Sequence, residues 1–107
     1  MTKEQIKAMN AGDELNVAIF KDFLKYTYLF TSFVPKYSKS ISAAWEIISK
    51  LQKDNWNINL YFNTDQIIYP FEIRLFQGDD KRVIAHGRTA PEAICKAALL
   101  AVMEVKQ

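Results

Sequence analysis

The sequence predicts a single α+β domain over residues 1–107, in which three helices precede a three-stranded antiparallel sheet and one final helix. Apolar residues recur at helical spacing in the first half and at the end of the chain, and they alternate with polar residues in between. No linker, repeat or low-complexity stretch divides the chain. A chain of this length buries roughly two thirds of its unfolded surface, which is enough for a core without disulfides or a structural metal.

Composition narrows the class of protein. Hydrophobic residues make up 50% of the chain and aromatic residues 13%, so disorder is not expected. The net charge is +2, and the basic residues are interleaved with acids, which disfavours a nucleic-acid-binding protein. Met1–Gln5 shows no signal-peptide pattern, and the apolar run Ala97–Met103 is too short to span a bilayer, so we expect a cytoplasmic protein without membrane association. A single cysteine, Cys95, excludes an internal disulfide.

The first two helices are predicted from a cap and from an apolar face. Thr2 and Gln5 have the spacing of a capping box, which predicts a helix over 3–10. From Leu15 to Tyr26 apolar residues share one helical face. Asn16 falls inside that face, and we expect its side chain to hydrogen-bond the backbone rather than a ligand.

Residues 26–34 are dense in aromatic and β-branched side chains and are closed by Pro35. One interpretation is an irregular connection or short strand packed on the core. The other is an exposed aromatic surface for a partner or a second subunit. The candidate contacts are Tyr26, Tyr28, Phe30 and Phe33.

The third helix is capped by Ser38 or Ser40 and runs to about Gln52. Its apolar residues form a one-sided stripe, which predicts that Trp45 is first a core residue and only second a platform for stacking a ligand. The members of the stripe are Ile41, Ala44, Trp45, Ile48 and Leu51.

Three strands follow. The alternation of Trp56, Ile58, Leu60 and Phe62 with polar residues predicts a strand with one buried face. A second strand begins after Pro70, where Phe71, Ile73 and Leu75 alternate with charged residues, and residues 77–80 form a tight hairpin loop. Residues 82–86 form a third strand that is too short to show which face is buried.

The last helix begins at a capping box. Thr89 accepts a hydrogen bond from the Glu92 amide, the Glu92 carboxylate reaches back, and Pro91 suits the first turn. Glu92 and Lys96 define the solvent-facing sector of this helix. The remaining arc is so broadly apolar that we expect more than one neighbour to bury it, either the 41–51 helix or another subunit. We therefore expect at least a homodimer.

Three blocks of sequence carry a resemblance: residues 12–16, residues 35–38 with 41–47, and residues 89–104. In this order they resemble the phage ABA sandwich domain family, small proteins of phages and prophages in Gram-positive bacteria. The resemblance implies helices on both faces of the sheet, although the polar alternation in residues 56–62 predicts that the second face is only partly covered. The family usually has an aspartate at Asn16 and often an acid at Ser40, so any binding role of those acids is in doubt here.

The parts that catalysis requires are missing from the sequence. There is no Gly-x-Ser-x-Gly turn, His86 is the one histidine, and Cys95 lies on the flank of an apolar helix face. One Cys and one His do not make a convincing zinc site, and no glycine-rich nucleotide loop is present. We expect no enzyme activity, no metal and no cofactor.

One group of residues is suited to an anion. His86, Gly87 and Arg88 lead into the N-terminus of the last helix, and Arg74 lies on the neighbouring strand. Either Thr89 and Glu92 satisfy the free backbone donors and Arg88 is solvated, or a small phosphate-bearing ligand is held here. In the second case the site residues are Arg74, His86, Arg88 and Thr89.

The sequence therefore favours a non-catalytic phage accessory protein in the host cytoplasm that binds a host molecule. Its target is a host protein or a nucleotide-type signal, and its expected effect is to counter host defence. One alternative is a weak nucleic-acid-binding module, because the helix–three strands–helix core is similar to the double-stranded RNA-binding domain. Glu92 and Lys96 stand where that domain has a lysine cluster. The other alternative is a virion assembly protein.

Overall fold

The predicted α+β order is confirmed. The computed structural model describes residues 1–26 and 34–105. Three antiparallel strands form one sheet in the order β1-β2-β3, and helices precede and follow it. The elements are α1 (Lys3–Ala8), α2 (Asp13–Ala18), a π-helical turn (Ile19–Phe23), α3 (Ile41–Lys53), β1 (Asn57–Phe62), β2 (Phe71–Gln77), β3 (Lys81–Gly87) and α4 (Ala90–Val105).

The capping box at the start of α1 is confirmed. Thr2 Oγ1 accepts a hydrogen bond from the Gln5 amide at 3.1 Å, and Gln5 Oε1 accepts one from the Thr2 amide at 2.8 Å. The helix ends at Ala8, two residues before the predicted end. The second helix starts earlier than predicted, at Asp13, and changes to π-helical geometry at Ile19. Phe20 and Phe23 of this turn are both buried.

Asn16 and Ser40 have structural roles. Asn16 Oδ1 accepts two hydrogen bonds from Ser38, from its amide at 2.8 Å and its hydroxyl at 2.7 Å. This ties residue 38 to α2, so Ser40 and not Ser38 caps α3, through a 3.3 Å bond from the Ala43 amide. Both positions need an oxygen acceptor, which an aspartate supplies equally well. The structure thus explains how asparagine and serine fit these two positions without invoking a bound ligand.

The predicted core stripe of α3 is partly wrong. Ala44 and Leu51 are buried as expected, but Ile47 is the third fully buried residue, while Trp45 is 62% exposed. The buried face is rotated towards Ile47 because the helix has two adjacent apolar stripes that share Ala44 and Leu51. Trp45 is therefore a surface residue.

The inner face of the sheet is formed by the alternate residues of β2 and β3. Ile73 and Leu75 pair with Ala85 and Val83, and all four are buried. This settles the orientation of the third strand: Val83 and Ala85 face the core.

The prediction of a buried face along β1 holds only at its beginning. Trp56 is buried and Ile58 is half-buried, but Leu60 and Phe62 are 47% and 60% exposed. The reason is the position of α4, which packs on β2 and β3. The far end of β1 extends beyond that cover at the edge of the sheet.

The opposite face of the sheet is open to solvent. Arg74, Ile84 and His86 point to this outer face and are exposed. On β1, the residues that alternate with the inner-face positions (Asn57, Asn59 and Tyr61) are exposed as well. Within the described part of the chain, this face is therefore more open than the partly covered face that the sequence predicts.

Helix α4 is enclosed between the sheet and the other helices, and residues 91–101 are all buried. The chain enters it through Gly87, where a Cβ atom would lie 2.6 Å from the Ala93 backbone nitrogen. Any side chain at Gly87 would therefore push the strand and helix apart. The neighbours that bury α4 all belong to this chain, so this helix does not supply the spare apolar surface for which a second subunit was invoked.

The predicted solvent-facing sector of α4 is wrong. Glu92 and Lys96 are each 3% exposed. Lys96 Nζ donates to Glu92 Oε1 at 3.2 Å and to the Lys7 carbonyl oxygen at 3.0 Å. Because the two charges neutralise each other, both side chains fit inside the helical layer and join α1 to α4.

Candidate functional site

The outer face of the sheet brings Arg74 and His86 together, but around a carboxylate. Arg74 Nε donates a hydrogen bond to Glu72 Oε2, and His86 Nε2 lies 3.0 Å from Glu72 Oε1. The hydrogen bond from Arg74, helped by that from His86, lowers the pKa of Glu72. The Glu72 carboxylate therefore already serves as the anionic partner of Arg74 and His86, in the role that a bound phosphate would have.

Arg88 and Thr89 do not join that cluster. Thr89 Oγ1 accepts a hydrogen bond from the Glu92 amide at 3.3 Å, and the Arg88 amide donates to Glu92 Oε1 at 3.5 Å. The Arg88 guanidinium lies over the Tyr69 ring, 5.7 Å from its centroid. The Arg88 and Glu92 amides are thus used by the helix's own cap, and the structure does not bring Arg88 and Thr89 together with Arg74 and His86.

Of the predicted partner surface, the structure describes Tyr26; Tyr28, Phe30 and Phe33 lie outside the described residues. Tyr26 is exposed, yet it is fixed on α3, because its hydroxyl donates a hydrogen bond to Glu46 Oε2. That hydrogen bond raises the pKa of Tyr26. Its ring also contacts Phe20, with 5.0 Å between ring centroids.

A cleft on another side of the molecule concentrates positive charge, and we call it the lysine cleft. It has a volume of about 460 Å³, within the range of small-molecule sites. It lies between the end of the π-helical turn, the C-termini of α3 and α4, and the β2–β3 hairpin. Its lining residues are Phe23, Lys25, Lys50, Lys53, Asp54, Asn55, Trp56, Gln77, Lys81, Ala101 and Val102.

One edge of the lysine cleft is held rigidly by side-chain contacts. Lys50 Nζ pairs with Asp54 Oδ2 at 2.9 Å and lies 4.8 Å from the centroid of the Phe23 ring. Gln77 Nε2 donates to the Asp54 carbonyl oxygen at 2.7 Å, which joins β2 to the end of α3. Ala101 and Val102 of α4 add an apolar wall.

Two of the residues that line this cleft have a left-handed backbone conformation. Asn55, at φ 68°, ends α3 in a Schellman motif, in which the Trp56 amide bonds the Leu51 carbonyl at 3.0 Å. Asparagine tolerates this conformation. Lys25, at φ 59°, closes the π-helical turn, where glycine is the usual residue and any other costs about 1 kcal/mol. The chain therefore keeps a lysine at the cleft at a conformational cost.

Sequence reasoning missed the lysine cleft because its charges come from three separate parts of the chain. Lys50 and Lys53 lie in the last turn of α3, where cations also offset the helix dipole. Lys25 and Lys81 have no such role and reach the cleft only through the tertiary fold. The one local signal was the pair of lysines at the end of a helix, and such pairs are common.

Reactive groups are sparse in the part of the chain that the structure describes. The Cys95 thiol is buried in α4, and burial raises its pKa far above the ordinary value, so it stays protonated. No three His, Cys, Asp or Glu side chains of residues 1–26 and 34–105 gather as metal ligands. No described helix has the length and apolar run that crossing a bilayer requires.

Comparisons with known proteins agree with the fold. The profile of the phage ABA sandwich domain matches residues 5–99. The 2.0 Å crystal structure of a phage protein from Bacillus cereus ATCC 14579 is similar, with a TM-score of 0.69 and 25% identity over 86% of this chain and 91% of that one. No curated protein sequence matches the chain. Since the family profile covers most of the chain, the protein belongs to the phage ABA sandwich domain family.

Proposed function

We propose that this phage protein acts by binding, without catalysis, and that its ligand is a small phosphate-bearing molecule held in the lysine cleft. The observation that carries the proposal is the excess of cations there. Four lysines and one aspartate line the cleft, and Lys50 and Asp54 neutralise each other. The ammonium groups of Lys25, Lys53 and Lys81 have no ion-pair or hydrogen-bond partner among the described residues.

No described carboxylate balances the charges of these three lysines, and an anion in the cleft would supply the missing counter-charge. Phosphate oxygens suit this arrangement because a lysine acts as a point charge with freely rotating donors. The left-handed backbone at Lys25 supports a functional role, since strain of this kind collects at binding sites. The volume of about 460 Å³ suits a nucleotide-sized molecule.

A non-catalytic role fits the same geometry. The described residues that line the cleft include no histidine, cysteine or serine, and the one acid, Asp54, is paired with Lys50. His86 is held by Glu72 on the outer face of the sheet. A general base next to a nucleophile, which hydrolysis of a phosphate ester or an acyl group needs, is therefore not provided by these groups.

The nucleic-acid alternative has less support. In the double-stranded RNA-binding domain, which the helix–three strands–helix core resembles, lysines at the start of the last helix contact phosphates. Here Lys96 is buried and its ammonium group is taken by Glu92 and the Lys7 carbonyl. The lysine cleft is a compact depression, which suits a small molecule better than a duplex.

In an infected bacterium, a phage protein that holds a nucleotide-type signal removes that signal from the host's receptors. We propose this sequestration, in the host cytoplasm, as the way in which the protein counters host defence. The proposal rests on membership of a phage protein family and on the charge of the lysine cleft.

The test is calorimetric titration of the purified protein with ATP, NAD⁺, a cyclic dinucleotide and inorganic pyrophosphate at low salt. We expect at least one nucleotide to bind, and the double variant Lys53→Ala/Lys81→Ala to weaken binding by about tenfold per lysine, since a charge-assisted hydrogen bond contributes roughly 1.5 kcal/mol or more. The matched control is Arg88→Ala, which removes an exposed cation outside the cleft and leaves the affinity unchanged.

Two outcomes would overturn the proposal. One is the absence of binding by every probe. The other is a loss of affinity in Arg88→Ala that equals the loss in the double lysine variant. That result would show that the ligand binds at the start of α4. Capture of a host protein by both wild-type and lysine variants would instead support the protein-binding alternative.

A further inference from the structure

We infer that the outer edge of β1, which pairs with no other described strand, is a contact between two copies of this chain, paired antiparallel across a twofold axis at Leu60. The two three-stranded sheets then form one six-stranded sheet. The inference does not depend on the proposed ligand, because none of the residues that make the pairing lines the lysine cleft.

The register of the sheet shows which backbone groups of β1 are free. The Asn63 amide donates to the Pro70 carbonyl at 2.7 Å, one step beyond the pairing of Phe62 with Phe71. Hydrogen-bonded pairs alternate along antiparallel strands, so the residues of β1 that bond β2 are Asn57, Asn59 and Tyr61. The N–H and C=O groups of the intervening residues point away from β2, at the edge of the sheet; these residues are Ile58, Leu60 and Phe62.

The two edges of the sheet differ in how they are protected. Natural sheets guard exposed edges with charged residues, proline or bulges. The edge strand β3 carries Lys81, Arg82 and His86. The strand β1, with the sequence NINLYF, has no charged residue and no proline, and its register with β2 runs without a bulge from Asn57 to Phe62. Within residues 1–26 and 34–105, β1 is therefore the edge that is less protected against pairing with another strand.

A second copy of β1, related to the first by a twofold axis at Leu60, can pair with it along its whole length. The outward backbone groups then meet in about six hydrogen bonds between the two copies. On the inner face Leu60 lies beside the partner's Leu60, and Ile58 lies beside the partner's Phe62. On the outer face Asn59 lies beside the partner's Tyr61. No two charged side chains oppose each other in this register, so nothing in it repels a second copy.

Exposed apolar side chains supply a driving force at this edge. Leu60 and Phe62 are about half exposed although they lie on the inner, core-facing side of the sheet. In the pairing described, each gains an apolar neighbour from the other copy. Burial of apolar surface of this kind stabilises association, whereas exposed edge hydrogen bonds alone exchange with water for little net gain.

The test is the mass of the full chain in solution, measured by light scattering over a range of protein concentrations. We expect twice the chain mass for the wild type. Leu60→Lys introduces charges that face each other across the axis, and we expect it to be monomeric. The control is Ile84→Lys, which adds the same charge at an equally exposed position of the other edge strand, and we expect it to remain a dimer.

Amide hydrogen exchange of the wild type gives a second test that needs no variant. We expect the amides of Ile58, Leu60 and Phe62 to be protected like those of the central strand, while the outward amides of β3 exchange rapidly. A monomeric wild type, a dimer that survives Leu60→Lys, or rapid exchange at all three β1 amides would each overturn the inference.

Discussion

The variant Lys96→Met removes the ammonium group that faces the buried carboxylate of Glu92. Both residues are 3% exposed, and Lys96 Nζ donates to Glu92 Oε1 at 3.2 Å and to the Lys7 carbonyl oxygen at 3.0 Å. Methionine fills a similar volume but leaves the carboxylate without its counter-charge. Loss of one partner of a buried ion pair costs about 3–5 kcal/mol. Since the free energy of unfolding of a small domain is about 5–15 kcal/mol, this cost is a large share of the stability.

The assay is thermal and urea unfolding followed by circular dichroism. For a domain of this size, each kcal/mol of lost stability lowers the midpoint of thermal unfolding by about 4 °C. We therefore expect the midpoint to fall by about 12–20 °C. The double variant Glu92→Gln/Lys96→Met removes both charges and should recover most of the loss, because the cost arises from the unpaired charge. The matched control is Lys3→Met, which breaks the exposed Lys3–Glu104 pair and should cost less than about 1 kcal/mol.

Equal costs for Lys96→Met and Lys3→Met would refute the reasoning. They would show that the Glu92 carboxylate reaches water in the variant and that α1 and α4 are not joined by this pair. If Glu92→Gln/Lys96→Met is as unstable as Lys96→Met, the loss of stability arises from altered packing and not from an unpaired charge.

Four further predictions follow from individual side chains. Trp45→Gln should change the free energy of unfolding by no more than about 0.5 kcal/mol, whereas Ile47→Ala should cost about 2–5 kcal/mol; equal costs would restore Trp45 to the core. The pKa of Glu72 lies below its ordinary value of 4.5 in the folded chain, so its carboxylate stabilises the fold above that pH and this stability is lost on acidification. Urea unfolding of Glu72→Gln should therefore show a weaker loss of stability in acid than the wild type. The Cys95 thiol should resist a disulfide reagent at mildly alkaline pH until the protein unfolds, and rapid labelling of native protein would contradict its burial. Lys25→Gly should be at least as stable as the wild type while binding the ligand about tenfold more weakly, whereas a destabilised variant with unchanged affinity would remove Lys25 from the site.

Local chemistry made much of the fold predictable. The caps at Thr2, Ser40 and Thr89 mark helix starts that the structure confirms, because the side-chain oxygen and the amide it binds are only three residues apart. The hairpin between β2 and β3 was equally predictable, because a glycine between two strands favours a tight turn. In the structure Gly78 takes the left-handed conformation that such turns use, at φ 64°.

The errors arose where two local patterns compete or where partners are distant in sequence. On α3, periodicity allowed two apolar stripes, and tertiary packing chose the one that contains Ile47 and not Trp45. On α4, the charges of Glu92 and Lys96 predict exposure, because charged side chains usually face solvent. Four residues apart on a helix, they instead neutralise each other inside the core.

The candidate site was the least predictable part. The structure brings Arg74 and His86 together around Glu72, which lies opposite His86 and which the sequence analysis does not consider. The lysine cleft is lined by both Lys25 and Lys81, and no local sequence pattern connects positions so far apart.

The most direct test of the central claim is mass spectrometry of small molecules released from the protein after purification from phage-infected cells. The wild type should release a phosphate-bearing compound that the double variant Lys53→Ala/Lys81→Ala does not retain, while Arg88→Ala retains it. Release of the same compound by the double lysine variant, or no compound from any of the three proteins, would contradict the claim that this chain works by holding a phosphate-bearing ligand in the lysine cleft.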